Sequence, residues 1–233
     1  MEIVKSLYKG VLAFQLKTKM FVLTVLPTEG GKIASFKKVG DEKEYLLQNP
    51  SKEYLSIGLE SDYVKGECCG FDDMFPTIDP VKVKTLSGKW IEYPDHGEIC
   101  RVGFNFEIKE DKFVLQYDST MGYRYQKTFF EEKGKIRINY KITNFSNAPL
   151  DVLWAGHCLI NAEKGGEVDL EYKDGDLVDV MFDISGKFQP FERIAYKKEY
   201  LKTNWISGVK ACNKFYFVGK SKEGYIRYKY PSG

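Results

Sequence analysis

The chain has 233 residues, enough to bury a core, and its 35 Lys and Arg nearly balance 33 Asp and Glu for a net charge of +2. Charges of both signs are interspersed, which excludes the basic stripe of a nucleic-acid binder and the strong field that steers an acidic partner. The excess is aromatic, 16 Tyr, 16 Phe and 3 Trp, and aromatic residues favour strands and offer flat faces on which sugar rings stack. The N-terminal region carries no secretory signal, since Val11-Leu12-Ala13-Phe14 is interrupted by Gln15 and Lys17. No segment approaches the roughly 20 apolar residues of a membrane span. Residues 20–26 form an apolar strand stopped by Pro27, and Lys32 to Lys37 alternates as a second strand after two glycines. Phe104 to Lys109 and Phe113 to Tyr117 flank Glu110-Asp111 as a hairpin. Tyr123 to Phe130 and Lys135 to Thr143 flank the turn Glu131 to Gly134 in the same way. Phe215 to Val218 and Tyr225 to Tyr230 flank a turn containing Gly224. Short strands at regular spacing, with no long amphipathic helix, predict an all-β antiparallel sandwich or barrel formed as a single domain over 1–233.

Five cysteines, Cys68, Cys69, Cys100, Cys158 and Cys212, include no CxxC pair. An odd count without metal spacing predicts reduced, partly buried thiols and a cytoplasmic protein. The only two histidines, His96 and His157, have no third ligand at zinc spacing, so no metal is expected. At the far end, Pro231-Ser232-Gly233 reads as the start of a turn whose partner strand does not follow. An open sheet edge is expected there.

Several segments in fixed order carry a resemblance. Residues 25–36 give a strand, a Gly-containing turn and a second strand, followed by Tyr45-Leu46-Leu47. Gly70-Phe71-Asp72-Asp73-Met74-Phe75-Pro76 comes next, then Tyr93-Pro94-Asp95-His96-Gly97-Glu98. Tyr125 to Phe129 and Tyr140 to Asn144 form a central hairpin, and Trp154-Ala155-Gly156-His157-Cys158 follows. Together these resemble the galactose-mutarotase-like proteins of the aldose 1-epimerase family, up to about Leu170. The resemblance implies a galactose-mutarotase-like antiparallel β-sandwich (a supersandwich), here without the family's C-terminal strands. It implies binding of a free small-molecule sugar and interconversion of its α and β anomers without a cofactor. The alternative is a non-catalytic carbohydrate-binding or regulatory protein on the same fold. No nucleic-acid or membrane partner is implied.

Within that resemblance, His157 is expected to protonate the ring oxygen and His96 to hold or polarise the sugar oxygens. Ring opening needs a base for the anomeric hydroxyl and an acid for the ring oxygen, and histidine titrates near working pH. Asp72, Asp73, Arg101 and Trp154 are candidate substrate contacts, two acceptors, a donor and a stacking face. The family's basic glutamate lies on a late strand, and Glu192, Glu199 and Glu223 match no motif for it. Without that base, weak or absent turnover with measurable sugar binding is expected. Aligning on Phe75-Pro76 puts Cys68 where sugar-phosphate epimerases carry an arginine, which argues against a hexose phosphate.

Overall fold

The computed structural model describes residues 1–84, 88, 90–201 and 212–231. The protein is an antiparallel β-sandwich, and helix among the described residues is confined to three short 3-10 segments, Tyr63–Lys65, Ile99–Arg101 and Lys198–Leu201. No helix among the described residues is long and apolar enough to cross a membrane. The chain divides into two compact units, Met1–Asn161 and Ala162–Gly233.

In the first unit the strands are β1 (Glu2–Tyr8), β2 (Val11–Lys17), β3 (Phe21–Leu26), β4 (Lys32–Lys38), β5 (Phe71–Met74), β6 (Val81–Lys84), β7 (Trp90–Tyr93), β8 (Asn105–Lys109), β9 (Lys112–Asp118), β10 (Tyr123–Glu132), β11 (Lys135–Asn144) and β12 (Ala155–Cys158). A six-stranded sheet runs β1-β2-β3-β4-β5-β12, a four-stranded sheet runs β11-β10-β9-β8, and β6 pairs with β7. Inward residues of both sheets meet in one core. Phe14, Leu16, Leu23, Val25 and Ile33 come from the first sheet, and Phe113, Leu115, Tyr123, Tyr125 and Phe129 from the second.

Alternation sets which side chains go inward. On β10, Tyr123, Tyr125, Lys127 and Phe129 are buried, and Arg124 between them is exposed. The hairpin after β10 is tighter than its sequence suggests. Glu131 and Glu132 stay in the ladder opposite Ile136 and Lys135. Only Lys133 (φ 52°) and Gly134 (φ 76°) turn the chain, the two-residue left-handed turn whose twist matches that of the strands. The β1–β2 hairpin, which the sequence does not announce, turns in the same way at Lys9 (φ 49°) and Gly10 (φ 86°).

In the second unit the strands are β13 (Glu167–Leu170), β14 (Leu177–Asp183), β15 (Arg193–Ala195), β16 (Asn213–Phe217) and β17 (Ile226–Lys229). The expected hairpin between the last two does not form. β16 pairs with β14 and β17 with β13, because each finds its register with an earlier strand. Pro231 ends the described chain, and Ser232 and Gly233 of the expected terminal turn lie outside the described residues.

Candidate functional site

The site is built on β5 and β12, which pair antiparallel with Asp72 opposite His157 and Asp73 opposite Gly156. Directly opposed residues share a face, and neighbours along a strand take opposite faces. Asp72 therefore lies on the His157 side and Asp73 on the other.

Each carboxylate is buried and meets a buried ammonium. Lys32 Nζ donates to Asp72 Oδ2 at 2.5 Å, to the Cys69 carbonyl at 2.7 Å and to the Glu67 carbonyl at 2.9 Å. Three donors thus meet three acceptors. Lys127 Nζ donates to Asp73 Oδ2 at 2.8 Å and to the Gly31 carbonyl at 3.1 Å, among the rings of Phe71, Phe129 and Tyr140 at 5.2–5.6 Å. Charges are almost never fully buried without such partners.

His96 comes to the same place from the loop between β7 and β8. Its backbone is left-handed (φ 69°), as is that of Gly97 (φ 67°). A Cβ on Gly97 would collide with the Phe75 carbonyl, so only glycine allows the loop to lie against the end of β5. The His96 N–H donates to the Ile78 carbonyl at 2.9 Å, and the Glu98 N–H to the Phe75 carbonyl at 2.9 Å. The buried Glu98 carboxylate ties the loop to the four-stranded sheet. It accepts from Ser119 Oγ at 2.6 Å and from the Tyr123 hydroxyl.

Tyr63 joins the two histidines. Its ring stacks on the His96 imidazole with centroids 3.8 Å apart and planes 5° from parallel. Its hydroxyl donates to Asp72 Oδ2 at 2.6 Å and lies 3.2 Å from His157 Nδ1. The two imidazoles meet edge to face, with centroids 4.8 Å apart. Asp95 Oδ2 is 2.9 Å from His96 Nδ1, within ion-pair range though not aligned along an N–H direction.

Burial pushes both imidazoles below the ordinary histidine range. For His157 the neighbouring His96 adds to the depression, and for His96 the Asp95 carboxylate opposes it. Burial and the Asp72 charge push the Tyr63 hydroxyl far up, so it remains a proton-bearing donor.

The other sequence candidates fall elsewhere. Arg101 sits behind the His96 loop, and its guanidinium donates to four backbone carbonyls, of Gly97 (3.1 Å), Gly58 (2.8 Å), Ser61 (2.6 Å) and Asp95 (2.9 Å). It fixes the loop's shape. Trp154 turns toward the four-stranded sheet, where Nε1 donates to the Tyr125 hydroxyl at 2.9 Å and the ring packs on Tyr140. It lies with Asp73, on the face opposite His157. Cys68 is half-buried, and burial raises its thiol. Glu192, Glu199 and Glu223 belong to the second unit. Among the described residues no group of three His, Cys, Asp or Glu is arranged to hold a metal. Three cavities of about 540–560 Å³ lie on the outer face of β9–β11, beneath Trp90, and beside β6, and none is lined by either histidine.

Tyr63 and Lys32 are the members of the cluster that sequence reasoning missed. Tyr63 lies in an irregular segment without periodicity. For Lys32 a signal exists. Two carboxylates in the otherwise apolar run Phe71 to Phe75 imply buried cations nearby, although nothing in the sequence says which lysines supply them.

No family model matches the chain, and no curated protein matches it. Solved structures do. The Slr1438 protein from Synechocystis sp. PCC 6803 matches with a TM-score of 0.59 at 12% identity, over 83% of this chain and 67% of that one. A "Putative aldose 1-epimerase" from Escherichia coli K12 matches with a TM-score of 0.55 at 14% identity, over 83% of this chain and 65% of that one. A TPR-domain containing protein from Parabacteroides distasonis matches with a TM-score of 0.55 at 9% identity, over 82% of this chain and 30% of that one. The chain spans about two thirds of the first two proteins, and at these identities the likeness establishes a shared β-sandwich fold.

Proposed function

We propose that the first unit binds a free sugar at the His96–His157 cluster and interconverts its α and β anomers by acid/base ring opening. The observation that carries this reading is the meeting of the chain's only two histidines, from a loop and a strand distant in sequence, at 4.8 Å between rings. Ring opening needs one group to take a proton and one to give it, within reach of a single pyranose, and no cofactor. The fold shared with the Escherichia coli "Putative aldose 1-epimerase" supports the reading by analogy. A neutral sugar fits better than a sugar phosphate. Arg101 is engaged by backbone carbonyls and Arg124 by Asp118, which leaves neither guanidinium poised for a phosphate.

One observation favours a second reading, a non-catalytic carbohydrate-binding protein on the same fold. Among the described residues of the first unit, the acidic side chains acting on the two imidazoles are Asp72 and Asp95, both aspartates. Polarimetry of freshly dissolved α-glucose and α-galactose separates the two. The enzyme reading expects a saturable rate above the spontaneous one that is lost in His157→Ala. Binding of the same sugars without any rate above background would establish the second reading instead.

A further inference from the structure

We infer that His157 is the proton acceptor of this site, held by Tyr63 in the tautomer whose Nε2 is bare, and that His96, beside Asp95, is the proton donor. This rests on the proposed sugar chemistry and departs from what the family resemblance implies, in which His157 protonates the ring oxygen, His96 holds the sugar oxygens and a glutamate is the base.

Hydrogen-bond direction fixes the tautomer. The Tyr63 hydroxyl has a single proton. It goes to Asp72 Oδ2 at 2.6 Å, an oxygen that also receives the Lys32 ammonium at 2.5 Å. Toward His157 Nδ1, 3.2 Å away, that hydroxyl can then only accept. Nδ1 must carry the hydrogen, and in the neutral ring Nε2 is left with its lone pair. Lys32, with its three acceptors, anchors the chain Lys32–Asp72–Tyr63–His157 at the buried end. Tyr63 is thus a positioning residue, orienting His157 through its hydroxyl and His96 through its ring.

Two imidazoles 4.8 Å apart do not both carry charge readily. The groups facing the pair assign the single proton. Asp95 lies 2.9 Å from His96 Nδ1. Asp72 faces His157 but is already committed to Lys32 and Tyr63. Arg101 and Lys32 are the cations acting on His96 and His157 respectively. The Cys68 and Cys100 thiols adjoin Tyr63, with Cys100 pushed up to about 12 by burial and so uncharged.

The step balances within the pair. Nε2 of His157 takes the proton of the anomeric hydroxyl, and that O–H electron pair forms the carbonyl. The bond from the anomeric carbon to the ring oxygen breaks, its electrons stay on the ring oxygen, and the His96 imidazolium protonates it. In its singly protonated form the pair holds one excess proton before and after the step. Closure on the other face returns both protons.

The test reads the tautomer without sugar. In the ¹⁵N-labelled 233-residue chain, long-range ¹H–¹⁵N correlation resolves two imidazoles, assigned with His96→Gln. Above its titration, His157 should show a protonated Nδ1 and a bare Nε2. In Tyr63→Phe, with folding confirmed by the amide spectrum, the population should shift toward Nε2–H. Turnover in that variant should fall about tenfold in kcat with little change in KM, short of the 10²–10⁴-fold that a general base supplies. A wild-type His157 with Nε2–H overturns the inference, whether or not Tyr63→Phe folds. A bare Nε2 with no binding of any hexose would instead sink the sugar reading, and the acceptor role with it, while leaving the tautomer standing.

Discussion

At the scale of residues, His96 and Gly97 show how backbone geometry makes a site. Two consecutive left-handed residues bring the loop against Phe75. A left-handed non-glycine residue is held there at a cost that the surrounding contacts must offset. Here Arg101, Glu98 and the Ile78 carbonyl supply those contacts. We predict that Gly97→Ala destabilises the protein by about 2–4 kcal/mol, seen as a lower urea midpoint, because the new methyl meets backbone and cannot be accommodated by a side-chain shift. His96→Asn should cost less, about 1 kcal/mol, since asparagine tolerates the left-handed region and the main loss is the ring stacked on Tyr63, while sugar turnover is lost. Equal destabilisation by both changes would mean that the loop conformation is not what the site depends on. The histidines were legible because the sequence holds only two and both sit in recognisable segments. Tyr63 was not, because its importance comes from contacts with residues far along the chain.

At the scale of elements, β5 is the organising strand. Four residues, Phe71–Met74, carry Asp72 to one face and Asp73 to the other, and each recruits a buried lysine. The alternation of apolar and polar residues announced the long strands. It does not give the partners of Asp72 and Asp73, because period-two patterning says which face a charge takes and not whether water or a lysine waits there. Lys127 occupies a core position between Tyr125 and Phe129 and is completely buried. Removing one member of that pair strands the other, so Asp73→Ala should cost about 3–5 kcal/mol in chemical denaturation. The double change Asp73→Leu/Lys127→Met should cost clearly less than the sum of the singles. Additive costs would show that the pair contributes no coupling.

At the scale of the whole molecule, both imidazoles carry depressed affinity for protons in the fold. The unfolded chain binds protons more readily near the ordinary histidine value of 6.5, so these groups destabilise the fold when protonated. Their penalty is full below the folded values, shrinks as pH rises through the window up to 6.5, and is absent above it. Urea midpoints should therefore rise with pH across that window, and the slope should lessen in His157→Gln. A slope unchanged by that substitution would place His157 in an unburied environment.

The β-sandwich class was legible from the regular spacing of short strands. The pairing of the last strands was not, since adjacency in sequence suggested a hairpin where each strand bonds to an earlier one. The one-domain organisation expected from the sequence predicts a single thermal transition for the full chain. Two transitions, one of them retained when 162–233 is deleted, would show two domains.

The central claim is that the two histidines form one sugar site. The most direct measurement is a titration of the ¹⁵N-labelled chain with glucose and galactose, following both imidazole side chains. The His96 and His157 resonances should move together and saturate with one dissociation constant. Sugar binding that leaves both imidazoles unmoved, or that moves them with different constants, would contradict it.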